Sequence, residues 1–167
     1  MPSIRGPHFV ELLRLLARND VELIVVGVVA AVMQGAPVTT YDIDLVHRRT
    51  PENVSRLLRV LQEVDAVYRG DPRNLTPTAE HLLGTGHQLM ESRLGDVDCL
   101  GAIDDGAGFD ELLAHSVTLD LGEGLSCRVL ALSKLIEIKR RAGRPKDVAA
   151  LPVLEATLDE LRKKHDE

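Results

Sequence analysis

Aromatic residues are almost missing from this sequence: two Phe, two Tyr and no Trp among 167 residues. A protein that binds RNA by stacking its bases needs several exposed rings, so the scarcity argues against that class. The core must be built from Leu, Val, Ile and Ala. Cysteine is equally scarce. Cys99 and Cys127 both lie among apolar neighbours and form neither a disulfide framework nor a metal-ligand spacing. Positive charge is short as well: 20 Lys and Arg against 26 Asp and Glu leave a formal net charge of -6, unlike a general nucleic-acid coat protein. No apolar run approaches membrane-spanning length, and residues 1–5 lack the apolar segment of a secretion signal. These absences lead us to expect a reduced, cytoplasmic protein with no membrane partner. With 44% apolar and 28% charged residues, the chain reads as one domain over 1–167, long enough to bury a core unaided.

What is present is a well-marked succession of elements. Phe9, Leu12, Leu13, Leu15 and Leu16 recur at helical spacing and predict a helix over about 7–19, ended by Asn19 and Asp20. Residues 23–27 are a β-branched run, read as a buried strand stopped by glycine. A short apolar helix follows over 28–34 and is closed by Gly35 and Pro37. Residues 42–46 form a second strand. Thr50-Pro51-Glu52-Asn53 then starts a helix, with a cap residue, Pro at the first position and an acid in the first turn. Residues 69–79 read as an exposed loop. Strands are expected over 94–100, 117–121 and 126–130, and a short helix over 109–115. Ser133 is read as the cap of a helix broken at Gly143 and Pro145, and a last helix covers about 146–163. This order, without a repeat or linker, predicts an α+β (α/β-like) fold.

The chemistry is carried by acids. Asp42 and Asp44 are two apart on a strand, so both side chains leave one face while Ile43 and Leu45 leave the other. Asp98, between Val97 and Cys99, is another acid in an apolar strand. If its strand lies beside the first, three carboxylates converge. Two like charges about 4 Å apart repel by roughly 4 kcal/mol at an effective dielectric near 20, so such a group needs protons or a cation. Hard oxygen donors without nearby His or Cys favour Mg²⁺ or Mn²⁺ over Zn²⁺. A pair of exposed acids with no ligand is the plainer alternative.

The stretch from Val26 to Leu45 resembles the signature of the nucleotidyltransferase (DNA polymerase beta-like) superfamily. That signature is a hydrophobic residue, Gly-Gly or Gly-Ser, a short helix, a second glycine, Arg-x-Thr-x, then Asp-hydrophobic-Asp-hydrophobic. The spacing from Gly27 to Asp42 fits without a gap, and Ala30, Gly35 and Thr40 fall on matching positions. Further on, Leu132-Ser-Lys-Leu-Ile-Glu-Ile-Lys139 and Arg140-Arg-Ala-Gly-Arg-Pro-Lys-Asp147 are similar to the tail of small bacterial nucleotidyltransferases, among them relatives of abortive-infection and toxin–antitoxin proteins. The resemblance implies a mixed β-sheet flanked by helices, with a C-terminal helix hairpin. It implies Asp42, Asp44 and Asp98 as catalytic metal ligands for Mg²⁺ or Mn²⁺, with an NTP as substrate. Asp96 shares the parity of Asp98 but follows Gly95 and reads as a turn residue. Gly27, Val28, Thr40 and Lys139 take the nucleotide-binding positions, while Lys146 and Asp147 take structural ones.

The sequence departs from the family at two places. The usual second Gly or Ser is Val28, and the usual Arg is Val38. Val28 removes a hydroxyl and adds β-branched bulk beside the phosphate path, and losing one hydrogen bond to a charged group costs about 1.5–3 kcal/mol. The expected activity is transfer of a nucleoside monophosphate to an acceptor that could be RNA, a protein or a small molecule. The alternatives are a catalytically degenerate, antitoxin-like member that binds a partner protein, and metal-dependent phosphate hydrolysis at the same acids. Arg48, Arg49, Arg140, Arg141, Arg144 and Lys146 could hold RNA, or could be solvated charges on an acidic protein. His47, His81, His87 and His115 lack ligand spacing and read as surface or loop residues. Both a homo-oligomer and a complex with another protein are compatible with the sequence.

Overall fold

The computed structural model describes residues 8–166. The first helix, α1 (Phe9–Arg18), buries Leu12, Leu13 and Leu16 along one stripe. The strand β1 (Leu23–Val26) is buried at every residue and runs directly into the short helix α2 (Gly27–Met33). Then come β2 (Asp42–His47) and α3 (Pro51–Glu63), where the Thr50 hydroxyl accepts from the Asn53 N–H as the capping pattern predicts. The middle of the chain holds β3 (Val67–Tyr68), α4 (Ala79–Leu83), β4 (His87–Ser92) and β5 (Gly95–Leu100). It closes with α5 (Phe109–Leu113), β6 (Ser116–Gly122), β7 (Leu125–Leu130), α6 (Leu132–Ala142) and α7 (Pro145–His165).

These strands form one mixed seven-stranded sheet in the order β3-β4-β5-β2-β1-β7-β6. β2 runs parallel to β5 and antiparallel to β1, while β1 runs parallel to β7. The remaining neighbours are antiparallel. Helices flank the sheet, and α6 and α7 form the C-terminal hairpin, in agreement with the expected architecture. Among the described residues, no helix is long and apolar enough to cross a membrane.

Three features differ from the sequence reading. First, β3, α4 and β4 went unread. β4 buries only Met90, so its hydrophobic signal is faint, and its strand character comes from pairing with β5 across the turn at Arg93 and Leu94. Second, α6 starts at Leu132, with Ala131 rather than Ser133 at the cap and no side-chain cap. The Leu132 N–H is instead met by Gln34 Oε1 at 3.1 Å, a partner that no local pattern reveals.

Third, His47 is no surface residue. It is 1% exposed and shares the face of Ile43 and Leu45, and its Nε2 lies 2.6 Å from the Leu82 carbonyl oxygen. Burial pushes its pKa below the usual histidine range, so the ring is neutral and Nε2 donates. Replacing it with Ala leaves both a cavity and an unpaired buried carbonyl. The expected loss is about 2–4 kcal/mol, read as a fall in Tm of about 4–16 °C. An unchanged Tm would show that this contact contributes nothing.

Candidate metal and nucleotide site

The parallel pairing of β2 with β5 sets Asp42 opposite Asp96 and Asp44 opposite Asp98. On the other face Ile43, Leu45, Val97 and Cys99 are buried, which anchors the two strands and fixes which way the acids point. One carboxylate oxygen from each of Asp42, Asp44 and Asp98 lies within 4.8 Å of the others. The convergence that the sequence made conditional on strand adjacency is therefore present. Asp96 is a strand residue rather than a turn residue. Its Oδ2 lies 3.2 Å from Arg69 Nε.

The electrostatics of this cluster match its crowding. Burial, with help from the Asp42 and Asp98 charges, pushes the Asp44 carboxyl from 3.8 to about 7. Burial also raises Asp98, against the pull of the Arg69 guanidinium. Three converging carboxylates are thus short of positive charge, and the donors are all hard oxygens. A divalent metal ion is compatible with that arrangement.

Neighbouring residues hold the cluster in place. The Thr40 hydroxyl donates to Asp42 Oδ1 at 2.9 Å, so it orients an acid directly. Gly27 has φ +68, and a Cβ there would sit 2.4 Å from Asp44 Oδ2. Only glycine allows both that backbone conformation and so close an approach. Gly27, Val28 and Asp44 line a cleft of about 390 Å³ together with Lys139 of α6, Arg144 of the turn that follows, and Lys146 and Asp147 of α7. The structure thus brings Gly27, Val28 and Lys139 to one cavity with Asp44, while Thr40 acts from the Asp42 side. Lys139 Nζ lies 3.3 Å from Asp147 Oδ1, and Arg144 Nε lies 2.6 Å from Asp147 Oδ2. The Arg144 bond, foremost, holds the buried Asp147 carboxyl below its ordinary range. Lys146 is exposed at the cleft, with no ion pair recorded among the described residues.

A larger cleft, about 480 Å³, lies against α1, β1 and α5. Its Arg48 stacks on Phe109 at 4.5 Å and is answered by Glu22 at 3.0 Å and Asp110 at 3.5 Å. Of the three acids, Asp44 lines the smaller cleft, and Asp42 and Asp98 lie beside it in the cluster. The proposed RNA-binding cations are largely engaged elsewhere: Arg140 pairs with Glu155, Arg141 with Asp104, and Arg144 with Asp147.

Sequence reasoning missed Arg69, which it placed in an exposed loop. Arg69 Nη2 donates to Asp98 Oδ1 at 2.6 Å and to the Met90 carbonyl at 2.9 Å. No local signal marks it, since it reaches the acids only through the unread β3–β4–β5 pairing. His87 is exposed, as expected, and lines the cleft, where its Nε2 lies 2.9 Å from the Ala102 carbonyl oxygen.

No protein-family model matches the chain, and no curated protein matches it either. A solved structure does. It is that of a candidate nucleotidyltransferase from Thermotoga maritima, 19% identical, covering 91% of this chain and 93% of its own, with a TM-score of 0.54. At that identity the likeness speaks for the fold alone. The chain has a nucleotidyltransferase-like fold, with three acids at its centre that could hold a metal ion.

Proposed function

We propose that the protein is a metal-dependent nucleotidyltransferase that moves a nucleoside monophosphate from an NTP to an acceptor. The convergence of Asp42, Asp44 and Asp98 on adjacent parallel strands carries this reading. These three residues would hold Mg²⁺ or Mn²⁺. Bound there, the ion neutralises triphosphate charge and lowers the pKa of an attacking hydroxyl. Gly27 keeps the wall beside Asp44 free of a side chain, so phosphates can approach the acids closely. Thr40 fixes Asp42, and Lys139 and Lys146 supply positive charge in the cleft that Asp44 lines. The acceptor oxygen bonds the α-phosphorus, pyrophosphate leaves, and Asp98 is the carboxylate we assign to the acceptor's proton. Val28 narrows the phosphate path, so we expect weak rather than absent nucleotide binding.

A thermal-shift series with Mg²⁺ or Mn²⁺ and each of the four NTPs tests this, beside an Asp42→Asn/Asp44→Asn variant. At a hundred times its Kd a ligand stabilises by about 2.7 kcal/mol, or about 5–11 °C here. A metal-dependent shift lost in the variant is the expected result. No shift with any metal–nucleotide pair would overturn it.

A second reading has its own observation. Val10, 50% exposed, and Val32, 39% exposed, line an apolar groove with Phe9, Met33 and Val38. A degenerate, antitoxin-like member would use such a groove for a partner protein. Failure of every nucleotide in the same series would favour it.

A further inference from the structure

We propose that Arg69 is a built-in rival of the divalent cation, and that its charge sets how tightly the acid triad binds metal. This inference rests on the nucleotidyltransferase reading of the site. Asp98 has two carboxylate oxygens, and Arg69 Nη2 occupies Oδ1 at 2.6 Å. The same nitrogen donates to the Met90 carbonyl at 2.9 Å, and Nε lies 3.2 Å from Asp96 Oδ2. The guanidinium is therefore held by three groups, of which only Asp98 belongs to the triad. A cation that draws Asp98 toward itself leaves Arg69 anchored to Asp96 and Met90. The backbone need not move, because the Arg69 N–H stays bonded to the Leu89 carbonyl at 3.0 Å. Asp96 thus has a role despite standing outside the triad: it receives the displaced guanidinium.

The energetic consequence follows from charge. Asp98 and Arg69 are only 9% and 31% exposed at their side chains, so water screens their interaction poorly. A fixed positive charge bonded to Asp98 would oppose the binding of a divalent ion by the same acids. Removing that charge tightens binding by about ten- to a hundredfold. Such an arrangement leaves the bare site weakly metallated, and the anionic triphosphate then becomes the partner that brings the ion in.

Calorimetric titration of the full chain with Mn²⁺ alone tests this on the parent, Arg69→Gln and Arg69→Lys. Arg69→Gln is expected to bind Mn²⁺ at least about tenfold tighter, while Arg69→Lys, which keeps the charge, stays within about threefold of the parent. If the parent binds Mn²⁺ and Arg69→Gln binds equally or more weakly, Arg69 merely positions Asp98, and this inference fails while the metal site stands. If Arg69→Gln alone binds, the rivalry is stronger than proposed and the inference holds. If none of the three binds Mn²⁺, the reading of the acids as a metal site fails, and the inference falls with it.

Discussion

Asp44→Asn is expected to make the metal-free protein more stable at pH 8 while removing its divalent-cation binding. The Asp44 carboxyl ionises near 3.8 when unfolded and near 7 when folded, raised by burial and by Asp42 and Asp98. A raised folded pKa means that the native state binds this proton more tightly than the unfolded chain does. The cost to stability is absent below about pH 4, grows as the pH rises, and is complete above about pH 7. Asn keeps the shape and removes the charge. Discounting for the partial exposure of the site, the gain at pH 8 is about 1–2 kcal/mol, or about 2–8 °C in Tm. It should shrink steadily toward pH 5. Melting curves in a chelator at pH 5 and pH 8 read it, and saturating Mn²⁺ should stabilise the parent alone. A gain of equal size at both pH values would show that charge is not its cause. Stability bought at the expense of activity is the usual pattern at sites that crowd like charges.

Gly27→Ala is expected to damage both the fold and the site. A non-glycine residue at φ +68 costs about 1–3 kcal/mol, and the new methyl group would lie 2.4 Å from Asp44 Oδ2, so the carboxylate must move. Tm should fall by about 2–12 °C, and Mn²⁺ affinity by at least about tenfold. Gly35→Ala separates the two effects. Gly35 also has a positive φ, +103, but its nearest new contact would be at 4.0 Å, on the Thr157 methyl. It should therefore lower Tm without touching metal affinity. Equal metal affinity in the parent and Gly27→Ala would mean that Asp44 is not held against Gly27 as described.

The acid-bearing strands β2 and β5 were legible because each has an alternation that only one arrangement satisfies. Asp42-Ile-Asp-Leu puts acids on one face and apolar groups on the other, and Asp98 between Val97 and Cys99 repeats the pattern. Glycine and proline marked most ends, as at Gly27, Gly143 and Pro145. What escaped was set by long-range pairing. β3 has two residues and β4 one buried side chain, too little for a periodic signal. Arg69 follows from those two strands, so it stayed hidden with them. His47 was misread because the strand was ended at residue 46; carried one residue further, the alternation that buries Ile43 and Leu45 also buries His47, while the Leu82 carbonyl that pairs with it is 35 residues away. The acids could be chosen from pattern, but their charge-compensating arginine could not.

The most direct test is a crystal of the protein grown with Mn²⁺ and a non-hydrolysable NTP, with manganese located by anomalous scattering. The expected result is a manganese peak among Asp42, Asp44 and Asp98, with the triphosphate lying past Gly27 and Val28 toward Lys139 and Lys146. Manganese elsewhere, or nucleotide in the Arg48–Phe109 cleft with the three acids bare, would contradict the assignment of this site.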